Sequence, residues 1–351
     1  MYKKLGVYLK EFLYSTKKLL KELLSFPEAT KAYGFNEIID INSIREINES
    51  YEEKISAIDG GTSEIIRLPT FSIVLNRIYC NCFIGMKKLD YFDRCTFISL
   101  TRMINDNGKI FYETKILHFI EGELNIKFPI VDSYSEEMRI GKNRGDISRV
   151  ISMARRFGEW EFVRNALKSG AKIILMDGSL QTSFPNESEF VKQIYNEVEK
   201  NNSIIAGLSK TSTIFTENGL PISGFLEYLG RRKGISKWAV KIGKSEEWTN
   251  KALIYFVKLH ENSDRCYRLD VYEKVSEEDI EKLLSSLVSN SKYFAYPGYP
   301  YALIDAHNLA RVGRDEAIYI RNLIFDLLDI EDIKRIENSE QIAHKILDEL
   351  G

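Results

Sequence analysis

Two short segments share one pattern: Ala57-Ile58-Asp59-Gly60-Gly61 and Leu175-Met176-Asp177-Gly178-Ser179. Each is an apolar run, one Asp and then Gly. Asp-Gly is also a common turn dipeptide, so either segment taken alone is most simply a turn. Together they can do chemistry. If their strands are neighbours, both carboxylates project from one sheet edge, where open α/β sheets bind ligands. Carboxylates side by side repel, and each pKa rises. A divalent cation removes that conflict, and hard Mg²⁺ or Mn²⁺ suits carboxylate oxygens. A third acid is expected from the helix between them, where Glu159 and Glu161 are the candidates. His307 lies near the end of the chain in Ala306-His307-Asn308 and is a candidate fourth ligand, with Asp305 as a competitor. His118, His260 and His344 sit in ordinary strand or helix contexts and are assigned no function.

The elements that must position these residues follow from periodicity. Residues 54–58 read as a short buried strand ending at Asp59-Gly60-Gly61, with a second strand over 63–68. Residues 71–85 form a long β-rich run, and strand-like patches continue at 95–101 and 109–120, which suggests an antiparallel meander. The period then switches. Ile147, Val150, Ile151, Ala154, Phe157, Trp160 and Val163 recur at helical spacing, with Asp146 as N-cap and Gly170 as stop. A strand at 172–176, a helix at 187–200 and a strand at 204–208 follow. Further strands are expected at 238–242, 252–260 and 266–272, then helices at 276–289 and 304–328. A meander followed by strand–helix alternation implies a mixed α/β sheet flanked by helices. Right-handed crossovers would set the 172–176 strand beside the first one. An Asp on the first strand, a Glu on the first helix and an Asp on the fourth strand is the acidic layout of the ribonuclease H-like fold. Such sites place two metals about 3.5–4 Å apart.

The chain has 351 residues, and 49 Lys and Arg stand against 51 Asp and Glu, a net charge of −2. That balance argues against a uniformly basic nucleic-acid binder, but net charge averages over patches. Acids that hold divalent ions leave their site less negative. A near-neutral total is therefore compatible with cations confined to a DNA channel. With 44% hydrophobic residues the chain is too apolar for disorder and long enough for a large core. Cys80, Cys82, Cys95 and Cys266 form no C-x-x-C pair, and Cys80 and Cys82 share one face of a strand, so buried free thiols and a reducing compartment are expected. No run reaches the roughly 18 apolar residues of a membrane helix. The Lys-studded start lacks the apolar core of a signal peptide, so a cytoplasmic protein is expected, nucleoid-associated if it acts on DNA. Residues 3–24 are an amphipathic helix that either packs on the body or meets a second copy or a partner. Gln is confined to Gln181, Gln193 and Gln341 while Ile, Lys and Glu abound, a thermophile-like bias that an AT-rich genome also produces.

Five pieces in order carry a resemblance to the NurA nucleases. They are Asp59-Gly60, the helix with Arg155, Arg156 and Glu159, then Asp177-Gly178-Ser179-Leu180, Gly207-Leu208-Ser209-Lys210-Thr211-Ser212, and Tyr299 with Ala306-His307-Asn308 and Arg311. The resemblance spans about residues 55–325. It implies a manganese-dependent nuclease on single- and double-stranded DNA, with 5′→3′ exonuclease and single-strand endonuclease activity. It also implies an archaeal or bacterial dimer that acts with the HerA hexameric helicase in end resection for double-strand break repair, beside Mre11 and Rad50. Carried over, Asp59, Glu159 and Asp177 are metal-binding carboxylates, with Glu159 preferred to Glu161. His307 is a further ligand or proton-transfer group. Tyr299 lines the site, and Lys210 stands at the scissile phosphate.

For DNA contacts, Arg231, Arg232 and Lys233 with Lys237, Trp238 and Lys241 form one cluster; Arg144, Arg149, Arg155 and Arg156 form another; Arg311 joins them. Trp238, Tyr296 and Tyr299 offer faces for unpaired bases. The expected domains are a helical extension over 1–52, the nuclease domain over 53–330 and a helical tail over 331–351. Two rivals remain. One is an actin- or sugar-kinase-like ATPase of the same superfold, using Asp59-Gly-Gly-Thr-Ser63 as a phosphate loop, although no P-loop is present. The other is a non-catalytic DNA-binding adaptor, which has no need of clustered carboxylates.

Overall fold

The apolar and β-branched runs of the first half form long strands, and a computed structural model places them in one sheet. It describes residues 2–23, 25–245 and 250–340. Helix α1 (Tyr2–Leu23) precedes three two-residue strands, β1 (Thr30–Lys31), β2 (Ile38–Ile39) and β3 (Arg45–Glu46). The meander follows: β4 (Ile55–Arg67), β5 (Phe71–Ile84), β6 (Lys87–Asp106) and β7 (Lys109–Glu121), with β8 (Val131–Asp132) beside it. Next come α2 (Met153–Lys168), β9 (Ile173–Asp177), α3 (Glu187–Lys200), β10 (Ile204–Ser209) and α4 (Ile222–Lys233). The chain continues through β11 (Trp238–Lys244), β12 (Ala252–Lys258), β13 (Tyr267–Tyr272), α5 (Glu277–Asn290), α6 (Tyr301–Ala310), α7 (Arg314–Phe325) and α8 (Ile330–Ser339).

Eleven strands form the main sheet in the order β3-β11-β12-β13-β10-β9-β4-β5-β6-β7-β8. Strand β9 runs parallel to β4, with Ala57 opposite Leu175 and Ile58 opposite Met176. Strand β10 runs parallel to β9. The expected neighbour relation between the first strand and the 172–176 strand is therefore present.

Side chains alternate between the two faces, as the two-residue period of a strand requires. On one face Ile58, Ile78, Ile174 and Met176 pack with Trp160 and Val163 of α2 and with α3 and α4. On the other, Ile55, Ala57, Ile173 and Leu175 pack with Leu283 and Leu287 of α5 and Leu303 and Ala306 of α6. Cys80, Cys82 and Cys95 are buried free thiols, and Cys266 is free and half-buried.

Several boundaries differ from the sequence reading. The first strand does not stop at Asp59-Gly60-Gly61; β4 passes straight through to Arg67, with an irregularity between Glu64 and Ile66. Both glycines serve close packing instead. A Cβ on Gly60 would lie 2.6 Å from Glu159 Oε1 and 2.8 Å from Arg155 Cγ on α2. A Cβ on Gly61, on the opposite face, would collide with the carbonyl of Ala310 at the end of α6. The expected helix over 304–328 is two helices. Arg311 adopts an extended conformation, its carbonyl accepts from Arg77 Nη1 at 2.8 Å, and Val312 is buried with Ile65 and Leu75. Asp146 caps a 3₁₀ turn over Ile147–Arg149 rather than α2 itself. Helix α4 had no counterpart in the sequence reading.

Within the expected N-terminal extension, β3 pairs with β11, and Ile39, Ile44 and Ile47 join the buried core. In α1, Leu9, Phe12, Leu13, Leu19 and Leu20 stay exposed, so this face does not pack on the body. Of the expected tail, residues 341–351 lie outside the described residues, as does His344.

Candidate metal centre

Asp59 follows Ile55 and Ala57 by the strand period, so its side chain belongs to the α6 face. Asp177 follows Ile173 and Leu175 in the same way. Because β4 and β9 are parallel neighbours in register, the two carboxylates come side by side. Helix α6 crosses over them and delivers His307. Its Nδ1 lies 2.8 Å from Asp59 Oδ2 and 4.0 Å from Asp177 Oδ2. Ligand atoms of Asp59, Asp177 and His307 all lie within 4.8 Å of one another. Close approach of α6 to β4 depends on the missing side chain at Gly61.

Burial sets the electrostatics. Asp59 is buried, Asp177 half-buried and His307 exposed, so the cluster opens outward from a buried floor. Asp59 is pushed up to about 6, first by burial and then by the negative charges of Asp177 and Glu159. Bonds from His307 and the Gly60 N–H oppose that rise. Lys210, one residue beyond β10, places Nζ 2.6 Å from Asp177 Oδ2 and 5.5 Å from the Tyr299 ring centre. The Tyr299 hydroxyl donates to Asp177 Oδ1 at 3.3 Å. Burial and the charges of Asp177 and Asp59 hold that hydroxyl far above the usual phenol range, so it stays protonated and donating. Gly178 takes φ +98°, the left-handed region glycine favours, and turns the chain away directly after Asp177.

Glu159 arrives from the opposite face. It rises from α2 beneath Gly60, is buried, and pairs with Arg155 and, at 3.4 Å, with Arg156. Burial raises its pKa and the two arginines pull it back. It stands close enough to act on Asp59 electrostatically but is not among the three converging ligand atoms. Glu161 pairs with Arg164, which also bonds Glu197 of α3, away from the carboxylates. Asp305 is held by Lys88 at 2.7 Å and by Asn81, so it does not compete with His307.

The expected DNA contacts divide sharply. Trp238 is buried against Gly230 of α4, where a Cβ would meet its Nε1 at 2.5 Å, so it offers no face to a base. Arg156 is also unavailable to phosphate. It bonds Glu187 at 3.0 Å and the carbonyls of Ser179 and Gln181 at 3.0 and 3.1 Å. Lys233 donates to the carbonyl of Ile44 at 2.6 Å, Arg144 donates to the Tyr112 hydroxyl, and Arg149 to the carbonyl of Glu137. Lys237 pairs with Glu49. Arg231, Arg232 and Arg311 are exposed, and Arg155 is half-buried beside Glu159.

Glu187 was not singled out from the sequence. It is fully buried and accepts from Arg156, from Trp160 Nε1 at 2.7 Å and from the N–H groups of Ser183 and Phe184. The network ties the segment after Asp177 to α2. An acid in the first turn of an expected helix was its only sequence signal.

Two carboxylates and an imidazole converging beside a cation fit a hard divalent metal. A bound ion would offset both the burial of the Asp59 charge and its repulsion by Asp177. Among solved structures, the chain is similar to the Argonaute of Aquifex aeolicus, with 10% identity over 76% of this chain and 29% of that one and a TM-score of 0.30. It is also similar to Kluyveromyces polysporus Argonaute with a guide RNA, with 12% identity over 78% and 27% and a TM-score of 0.32. The chain spans under a third of the length of either. No curated protein sequence matches it. A family model described as the NurA domain matches residues 53–312, about three quarters of the chain, so this protein belongs to the NurA family of nucleases.

Proposed function

We propose that the protein is a metal-dependent deoxyribonuclease with a ribonuclease H-like core. The observation that carries this is the convergence of Asp59, Asp177 and His307 beside Lys210. The topology supports it: the β4–β5–β6 meander lies on one side of β4, and parallel β9 and β10 lie on the other. Asp59, Asp177 and His307 would hold Mn²⁺, or Mg²⁺ in its place. Glu159, beneath Gly60 and paired with Arg155 and Arg156, would serve a second ion only by leaving those arginines. Such ions, when bound, supply an acidified water and offset negative charge on a phosphodiester. Asp59 sets the charge of the floor. Tyr299, held neutral, orients Asp177. Lys210 is placed to offset charge that develops on the phosphate.

The substrate is single- and double-stranded DNA, cut by 5′→3′ exonuclease and single-strand endonuclease action. The protein works as a homodimer with a HerA-type hexameric helicase in end resection, in functional connection with Mre11–Rad50. The exposed apolar face of α1 is available for such contacts. The kinase-like alternative loses its support, because Asp59–Ser63 is strand and not a phosphate loop. Labelled single-stranded DNA with Mn²⁺ tests the proposal: the wild type cleaves and Asp59→Ala does not. Equal cleavage by both, or none by the wild type with and without its helicase, sinks it.

A further inference from the structure

Burial separates the three aromatic residues that the sequence offered to unpaired bases. Trp238 and Tyr299 are each 1% exposed, whereas Tyr296 is 41% exposed. Tyr296 is also continuous with the acidic site. Its ring centre lies 5.9 Å from that of Tyr299, edge to face, and the Tyr299 hydroxyl reaches Asp177. Tyr267 braces Tyr299 with ring centres 5.2 Å apart. Arg265 Nη1 lies 3.4 Å from the Tyr296 hydroxyl and donates to it. The aromatic run therefore has a cation at each end, Lys210 over Tyr299 and Arg265 at Tyr296. Two residues earlier, Phe294 is 87% exposed. Among the described residues its one ring contact is with the adjacent Tyr293, at 5.4 Å between centres, so most of its face is left to solvent.

We propose that Tyr296, steadied by Tyr299 and Arg265, is the stacking platform for an unpaired DNA base next to the Asp59–Asp177 site. The platform selects single strands over duplex. A base in a duplex already has both faces covered by its neighbours, whereas an unpaired base has a free π-face. Lys210 and Arg265 put a cation at each end of the aromatic run, where backbone phosphates can be met without reading base identity. This rests on the DNA nuclease reading, and the two can fail separately.

The test is fluorescence anisotropy of labelled single-stranded and duplex oligonucleotides in chelator, so that nothing is cut. Wild type, Tyr296→Ala and Tyr296→Phe are compared after thermal melting shows each folded. Stacking on one aromatic contributes about 1–3 kcal/mol, so Tyr296→Ala weakens single-strand binding by about 5- to 150-fold. Duplex binding changes by less than about 2-fold, and Tyr296→Phe keeps most of the single-strand affinity, because the ring still stacks and only the bond from Arg265 is lost. One abasic position in the oligonucleotide weakens the wild type by the same factor and costs Tyr296→Ala nothing more. The proposal is overturned if Tyr296→Ala binds single strands as the wild type does. It is equally overturned if single-strand and duplex binding fall together, if Tyr296→Phe is as weak as Tyr296→Ala, or if the wild type binds no single strand. Single-strand binding with the expected pattern, but without Mn²⁺-dependent cleavage, retains the platform and removes the nuclease reading.

Discussion

Replacing Asp59 by Asn should make the metal-free protein more stable, not less. Its carboxyl stands at about 6 rather than the ordinary 3.8, with burial as the largest cause. Holding it ionised therefore costs the fold about 3 kcal/mol. The sign follows from proton counting. Between pH 3.8 and about 6 the native state binds more protons at this group than the unfolded chain, so stability falls as pH rises through that window. Above it the full cost is present; below 3.8 it is absent. Asn carries no such charge and can still accept from the Gly60 N–H, now bonded to Asp59 at 2.7 Å. Weakening the His307 contact returns about 1 kcal/mol. The net gain is about 2 kcal/mol near pH 8, about 3 °C in Tm for a chain of this length, with none near pH 3.5. Calorimetry of both proteins in chelator at the two pH values reads this directly. Mn²⁺ reverses the ranking, since a ligand at about 100 times its Kd adds about 2.7 kcal/mol to a protein that binds it. An Asn variant less stable than wild type in chelator near pH 8, or a gain equal at both pH values, refutes the electrostatic reading of the floor.

Three further outcomes follow from the packing. Gly61→Ala forces the Ala310 carbonyl and the end of α6 away from β4, so it should weaken Mn²⁺ binding measured by titration calorimetry and destabilise by about 1–3 kcal/mol. Arg156→Leu leaves Glu159 and Glu187 buried without their shared cation, and urea denaturation should show a loss of about 3–5 kcal/mol. Glu159→Gln should lower cleavage by about 10- to 100-fold while Glu161→Gln leaves it near wild type, because Glu159 faces Gly60 and Glu161 faces Arg164; the reverse pattern would assign the helix acid to Glu161.

The order of elements was legible because long strands and helices impose different periods on apolar residues. Helix 187–200 matches its expected span, and the strands expected at 172–176 and 204–208 lie within one residue of theirs, at Ile173–Asp177 and Ile204–Ser209. Asp59, Asp177 and His307 were legible for a related reason: element order alone brings neighbouring parallel strands and a late helix together. What failed were judgements that depend on partners distant in sequence. Trp238 reads as an exposed aromatic in a basic stretch, but α4 covers it, and α4 itself was not foreseen. Arg156 reads as a surface cation, but its partner Glu187 lies 31 residues away. Helix 304–328 breaks at Arg311 because Arg77 and the pocket around Val312 capture the chain there, and neither is visible in local spacing.

The two Asp-Gly pairs show where local reading stops. Asp177-Gly178 is a turn, and its glycine takes the left-handed conformation. Asp59-Gly60-Gly61 has the same letters and is mid-strand. Its glycines are required by what presses on the strand: α2 with Glu159 on one face, α6 with His307 on the other. Adding a methyl group at either position would push back one of the two helices that bring side chains to Asp59. The floor of the site is therefore built as much from the absence of two side chains as from the presence of the acids. Asp59 therefore sits where α6 reaches its carboxylate directly from one face while α2, held close by Gly60, sets the charge beneath it from the other.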